Sequence, residues 1–303
     1  STYLGKTEQI EYEREGILKK FKYTYEDDKE SIEMLFSDID DPQQTMDAII
    51  NKIIDATDAD FSGLSTWDTF REKVDELSQK NTKVDKKKSN EISVLSWRKF
   101  KRIINKAIRN DDMFARRVVD TQGECRLTDE IRHIQKNDVY VIDIAKLSED
   151  KQAFVFGDAI RAIYNLKLGE YDDELDGHKP PTRIVVFIDE LNKYASKDTP
   201  KSSAILREIL DVTERGRSLG VVLFGAEQFR SSIHPRVTGN CSTHAYGRTN
   251  TIETETKDYR SLPPVYKNML TRLAQGDYLI QNPMFRSLLK IQFPKPVYKQ
   301  FKG

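Results

Sequence analysis

Residues 183–195 read RIVVFIDELNKYA. Five of the six residues after Arg183 are apolar, which predicts a buried β-strand. The strand then ends in two adjacent carboxylates, Asp189 and Glu190. Charge at the tip of a buried strand is costly unless something there uses it. The fold therefore turns on what surrounds this strand and on what its tip holds.

Outward from it, strands alternate with amphipathic helices from residue 137 onward. NDVYVIDIA reads as a strand, EDKQAFVFGDAIRAIYNLKL as a helix and SSAILREILDVTERGRS as a second helix. GVVLFGA is another strand, THAYGRT a short one, and LPPVYKNMLTRLAQ a helix with proline near its start. GDYLIQ and SLLKIQF close the chain as a hairpin. Apolar strands alternating with helices predict an α/β fold with a mostly parallel sheet and helices on both faces.

The preceding stretch reads differently. Residues 26–135 are predicted almost wholly helical, as a helical insertion or subdomain ahead of a core at 136–303. In DDPQQTMDAIINKIIDA, Asp41 can cap, Pro42 suits a first helical turn, and Met46, Ile49, Ile50, Ile53 and Ile54 share a face. SVLSWRKFKRIINKAIRN carries an apolar stripe of Trp97, Phe100, Ile103, Ile104, Ala107 and Ile108 with basic residues mostly opposite. Residues 1–25 alternate apolar and polar around Glu15-Gly16, the pattern of a β-hairpin.

Composition excludes several function classes. With 38% hydrophobic and 32% charged residues, the chain is globular and polar-surfaced. Lys plus Arg (49) equals Asp plus Glu (49), so net charge points to no partner. No signal-peptide pattern or long apolar run occurs, which predicts a cytoplasmic protein with reduced thiols and no membrane span. Cys125 and Cys241 fit no metal-ligand spacing, and the four histidines accompany no nucleophile motif. No G-x-S-x-G, H-E-x-x-H or C-x-x-C is present.

Ligand sites in open parallel sheets lie beyond the carboxyl ends of the strands. Asp189 and Glu190 are predicted at that edge, and Gln228, just past GVVLFGA, at the same edge. A paired acid suits Mg²⁺ and an attacking water on a nucleotide, and a neutral amide suits a γ-phosphate. Each also has a plain reading, as a solvated strand exit or a loop residue. Arg215 and Arg217 precede the second strand, at its other end. They suit either the carbonyls of a helix C-terminus or a neighbouring subunit's nucleotide.

FIDELNKYA, ERGRSLGVVLFGAEQF, IHPRVTGNCSTHAYGRT, LPPVYKNMLTRLAQGDYLI and FPKP follow one another in an order that resembles the HerA family of the FtsK–HerA group. The resemblance covers residues 137–296. It implies a RecA-like P-loop ATPase core, with Asp189 and Glu190 as the acids of the second nucleotide motif. It further implies Gln228 as sensor, Arg217 (with Arg215 beside it) as an arginine acting in trans, and Arg248 as a lesser nucleotide-facing candidate. The family implies ATP and Mg²⁺, a hexameric ring around duplex DNA, and a nuclease or other effector bound to it, in DNA repair or antiviral defence. A ring-forming scaffold that recruits an effector, and a pump of a secretion or packaging machine, are the competing readings.

The phosphate-binding loop is the departure. Gly5-Lys6-Thr7 would end a G-x-x-x-x-G-K-[ST] motif if a glycine preceded Ser1. The hairpin pattern that follows argues for a chance match, with the true loop upstream. Between Lys83 and Arg109 stand ten basic and two acidic residues, either a phosphate-contacting surface or the solvated side of a helix. Lys193, Lys197, Lys201, Arg230 and Arg236 are further candidates for contacting DNA.

Overall fold

The computed structural model describes residues 6–41, 43–79, 92–108, 112–114, 123–171, 177 and 179–294. Two compact units emerge, one of residues 1–184 and 200–208, the other of residues 185–199 and 209–303.

The first unit opens with helix α1 (Lys6–Arg14), where the sequence pattern predicted a hairpin. Lys, Glu, Gln and Arg are good helix formers, and little of α1 is buried, so local propensity outweighs a weak period-2 pattern. Gly16, expected at a hairpin turn, takes φ 71° two residues past the helix end instead. Strand β1 (Lys20–Phe21) pairs in parallel with β2 (Glu124–Cys125), so the chain leaves this pair and returns to it across the helical segment.

Between the two strands lie α2 (Tyr25–Asp28), a 3-10 segment over Lys29–Phe36, α3 (Thr45–Ile54), α4 (Trp67–Gln79) and α5 (Val94–Ile108). Helix α3 begins three residues later than Pro42 suggested, and Pro42 itself lies outside the described residues. Asp41 still caps it from a distance, accepting the Met46 N–H. The predicted stripes of α3 and α5 are buried through Met46, Ile49, Ile50 and Ile53 and through Trp97, Phe100, Ile104, Ala107 and Ile108, with Ile54 and Ile103 half-buried at their margins, and α4 adds Phe70 and Val74. Aromatic rings dominate this core. Phe36 stacks on Phe100 at 4.9 Å, Tyr25 meets Trp67 edge-on at 5.3 Å, and the Trp67 indole N–H donates to the Tyr23 carbonyl. Such pairing adds geometry-specific stabilisation to area burial.

Helices α6 (Leu127–Arg132) and α7 (Glu149–Leu168) complete the first unit. Gly169 ends α7 in the left-handed region. Gly157 lets α7 approach the 3-10 segment, since a Cβ there would collide with Met34. Asp158, buried on α7, accepts from Ser31 Oγ at 2.6 Å and Thr128 Oγ1 at 3.3 Å, tying three elements together. NDVYVIDIA forms no strand. Val139 and Val141 are exposed, and none of the described residues offers that segment a ladder, without which a strand gains nothing.

Strand β3 (Ile184–Ile188) leads into the second unit, and α8 (Ala204–Leu219) spans the boundary by connectivity. Then come β4 (Val221–Gly225), α9 (Pro235–Asn240), β5 (His244–Tyr246), α10 (Thr251–Thr254), α11 (Pro264–Leu270), β6 (Asp277–Gln281) and β7 (Leu289–Gln292). The closing hairpin is β6–β7, antiparallel, and β5 pairs antiparallel with β6. Tyr246, Tyr259, Leu262, Leu270, Leu273 and Leu279 pack together beside this sheet. Strands β3 and β4 pair with each other alone among the described residues. Only one face of that pair is buried: Val185, Phe187, Val222 and Phe224 are exposed, with Phe187 stacked on Phe224 at 4.9 Å. The expectation of a strand buried on both faces is thus corrected, because two strands bury alternate side chains only.

Candidate functional site

Helix α8 returns the chain so that β4 can pair alongside β3. The direction of that pairing is fixed by one residue. The Ala226 N–H donates to the Ile188 carbonyl at 2.8 Å, and the Ala226 carbonyl accepts from Leu191 N–H at 3.0 Å. A residue whose two backbone groups reach two different residues of the partner strand belongs to a parallel ladder. The ends of β3 and β4 therefore share one rim. Asp189, Glu190 and Gln228 all stand there, exposed.

The ladder skips Glu190, which is the extra residue at the tip. Its backbone is left-handed (φ 54°, ψ 51°), an uncommon state for a residue bearing a Cβ. The skip turns the Glu190 side chain out of the strand's alternation. One Asp189 oxygen accepts the Glu190 N–H at 3.1 Å, orienting the first carboxylate. The adjacent Tyr194 phenol is pushed up to about 12, by burial first and by the negative charge of Glu190 second.

Glu227 organises the rim, a role the sequence reading missed. Its carboxylate accepts the Asn192 N–H at 2.8 Å from the loop after β3, and the Gln228 and Phe229 N–H groups from its own loop. Further along, the Lys197 N–H donates to Ser232 O, and the His234 N–H to Ala195 O, so the two loops are zipped together. Gly225 lets the loops start close together, since a Cβ there would force the Leu191 side chain to shift. A tip carboxylate beside Gln228 was visible in the sequence. That it faces three N–H groups depends on the strand pairing and was not.

Beyond Gln228 the loop is anchored to the antiparallel sheet. Ser231 donates to the buried Glu253 from both its N–H (2.9 Å) and its hydroxyl (2.7 Å). Arg230 Nη1 lies 2.8 Å from His244 Nδ1. A guanidinium can only donate, so Nδ1 accepts and the ring is neutral. Burial and the Arg230 charge hold His244 down to about 4. Arg236 pairs with Glu214. Of the sequence's candidates for DNA contact, Arg230 is half-buried against His244, while Arg236, though paired with Glu214, is exposed, as are Lys193, Lys197 and Lys201.

The arginines fall elsewhere. Arg217 lies in the last turn of α8 and Arg215 just before it, both exposed, ahead of β4. Five strand residues at about 3.3 Å each put roughly 16 Å between that end and the rim holding Gln228. Arg248 is exposed in the loop after β5, and no contact joins it to the acid pair among the described residues. The structure groups Asp189, Glu190 and Gln228, and sets Arg215, Arg217 and Arg248 apart from them.

In the first unit, Lys6 and Thr7 open α1. A lysine and threonine in the first turn of a helix are the context a phosphate-binding loop requires. The hairpin that argued against that motif is absent, while Gly5 lies outside the described residues. Among the described residues, no group of three or more metal-binding side chains converges, and no helix is long and apolar enough to cross a membrane.

Compared with protein-family models and with curated proteins, the sequence matches none. Solved structures do match. VirB4 of Thermoanaerobacter pseudethanolicus is similar at 14% identity and TM-score 0.50, over 88% of this chain and 69% of that one. The bacterial conjugative coupling protein TrwBdeltaN70, in its unbound form, is similar at 9% identity and TM-score 0.53, over 92% of this chain and 73% of that one. The genome packaging NTPase B204 from Sulfolobus turreted icosahedral virus 2 matches over 55% of this chain and 71% of its own at 19% identity and TM-score 0.39. At such identities the likeness to VirB4 and TrwBdeltaN70 concerns the fold: the chain has the RecA-like α/β fold of P-loop NTPases.

Proposed function

We propose that this protein hydrolyses ATP at the boundaries of a ring of identical subunits and couples that hydrolysis to movement along DNA, as a HerA-type motor does. The observation that supports the reading is the parallel ladder at Ala226, which brings the ends of β3 and β4, followed by Asp189-Glu190 and by Gln228, to one rim.

Each residue then has a task. Asp189 is a single exposed carboxylate, already oriented by the Glu190 N–H. One carboxylate fits Mg²⁺, which keeps most of its shell as water and phosphate oxygens. Bound Mg²⁺ would neutralise charge on the nucleotide's terminal phosphates. Glu190, projected from the strand by its left-handed backbone, orients and deprotonates the attacking water. Gln228 donates its amide to the γ-phosphate, and Glu227 holds its loop against the Asn192 backbone. Arg217, at the far end of β4, serves a neighbour's nucleotide, with Arg215 just before it. Partnership with a nuclease in repair or phage defence extends the same reading through the family resemblance.

Glu190→Gln in the full protein tests it. Losing a general base costs about 10²–10⁴-fold in rate. Hydrolysis should fall by at least 100-fold while ATP affinity stays within a few-fold, and wild-type turnover in this variant would overturn the assignment. Arg217→Ala should be equally inactive, yet mixing it with Glu190→Gln should restore part of the activity through hybrid boundaries. No gain on mixing refutes the action in trans.

A further inference from the structure

The helical segment of the first unit has a cleft that the hydrolytic reading does not use. It is a shallow groove of about 400 Å³ between the end of α4 and the outer side of α5, lined by Ser78, Gln79, Arg98, Lys101, Arg102 and Asn105. The four α5 residues fall at spacings of three, one and three, which on a helix is a single face about 10 Å long. The opposite face of α5 is buried through Trp97, Phe100 and Ile104.

The charges in the groove are unequally committed. Arg98 donates through Nε to the Ser78 carbonyl at 3.1 Å, satisfying one of the open carbonyls at the α4 C-terminus. Lys101 pairs with Asp75 at 3.1 Å. Arg102 is exposed and has no partner among the described residues. Three cations thus line the groove beside one neighbouring carboxylate, with Gln79 and Asn105 as neutral amides among them; the Asn105 oxygen accepts from Arg71, and Ser78 is buried with its hydroxyl on the Asp75 carbonyl.

We infer that this groove binds the sugar–phosphate backbone of a nucleic acid. Guanidinium, ammonium and amide groups along one strip are side chains that meet phosphate oxygens. A strip about 10 Å long spans about three phosphates of one strand at 3.4 Å of axial rise each. An anionic membrane is a poorer fit, because lipid binding by a helix needs an exposed apolar face and that of α5 is spent on the core. Contacts of this kind carry no base information, so binding is indifferent to sequence and steeply dependent on salt. Asp75 restrains the site by holding Lys101.

The identification of the polyanion as DNA rests on the motor reading, but the groove does not depend on hydrolysis, so binding is measured without nucleotide. Fluorescence anisotropy of a labelled duplex with the full protein, across a salt series, gives affinity and its salt slope. Arg102→Ala should weaken binding about three- to tenfold and lower the slope of log K against log[salt] by about one. Asp75→Asn releases Lys101 and should tighten binding, a gain that misfolding cannot imitate. Unchanged affinity and slope in both variants overturn the inference. So does equal binding of anionic vesicles with the same dependence on Arg102, or loss that follows only from neutralising Lys86, Lys87 and Lys88. ATP hydrolysis without DNA should be untouched in Arg102→Ala, which separates failure of the groove from failure of the motor reading.

Discussion

The helical core of the first unit and the β3–β4 pair of the second use phenyl and indole rings in opposite ways. In the first, Phe36, Phe70, Phe100, Trp67 and Trp97 are buried against one another in a closed cluster. In the second, Phe187 and Phe224 stack on each other while facing outward from β3 and β4. The helical unit draws its order from apolar contact in its interior. The strand pair draws its order from its ends, through the Ala226 ladder, the Glu227 carboxylate and the zipped loops. The apolar core and the proposed site thus lie in different parts of the chain.

The sharpest way to break that contrast is to truncate one ring in each unit. Phe100→Ala removes a fully buried side chain from the stack and should cost about 3–5 kcal/mol. Phe224→Ala removes a ring that is 54% exposed, and should cost under about 1 kcal/mol. Denaturant unfolding of both variants checks this, and equal costs would dissolve the distinction.

Acid sharpens it next. Asp28 is buried beside Arg126, which donates to it at 2.9 Å, with Asp158 nearby. Burial nevertheless wins and pushes its carboxyl up from 3.8 to about 6. The folded state therefore binds a proton between those two values that the unfolded state has released. Stability falls as pH rises through that window, by about 3 kcal/mol at about 1.4 per unit. Above about pH 6 the full penalty of burying the ion is present. Asp28→Asn should flatten this part of the profile, and thermal melts of the two proteins from pH 4 to 6.5 would reveal it. Parallel profiles would show that burial does not control the group.

The smallest effect lies at the rim. Glu227→Gln replaces one acceptor oxygen with a donor, so the tie from Asn192 or from Gln228 and Phe229 is lost. Hydrogen exchange at the Asn192 or the Phe229 amide should accelerate about tenfold, the worth of one such bond to a charged group, with the melting temperature of the helical unit unchanged. Unaltered exchange at both amides would remove Glu227 from its organising role.

Periodicity made much of this legible in advance. The stripe of α5, the long α7, the strand ending in Asp189-Glu190, the β6–β7 hairpin and proline at the start of α11 follow from local pattern and turn chemistry. Three features did not. Helix α1 carries too few apolar residues to declare a period, so a chance alternation mimicked a hairpin. NDVYVIDIA is strand-like by composition, but a strand exists only with a neighbour to bond. Glu227 looks like any loop carboxylate until two parallel strands bring three N–H groups around it. The grouping of Asp189, Glu190 and Gln228 was readable because it needs only strand direction; the left-handed turn at Glu190 was not, since its side chain disfavours that turn.

That turn sets two pressures against each other at a single position. A glycine at 190 would relieve roughly 1 kcal/mol of backbone strain and leave a sturdier protein. Any search for thermal hardiness that ranks substitutions by folding alone would select against the carboxylate here, and would discard first the side chain to which the proposed hydrolysis assigns the attacking water.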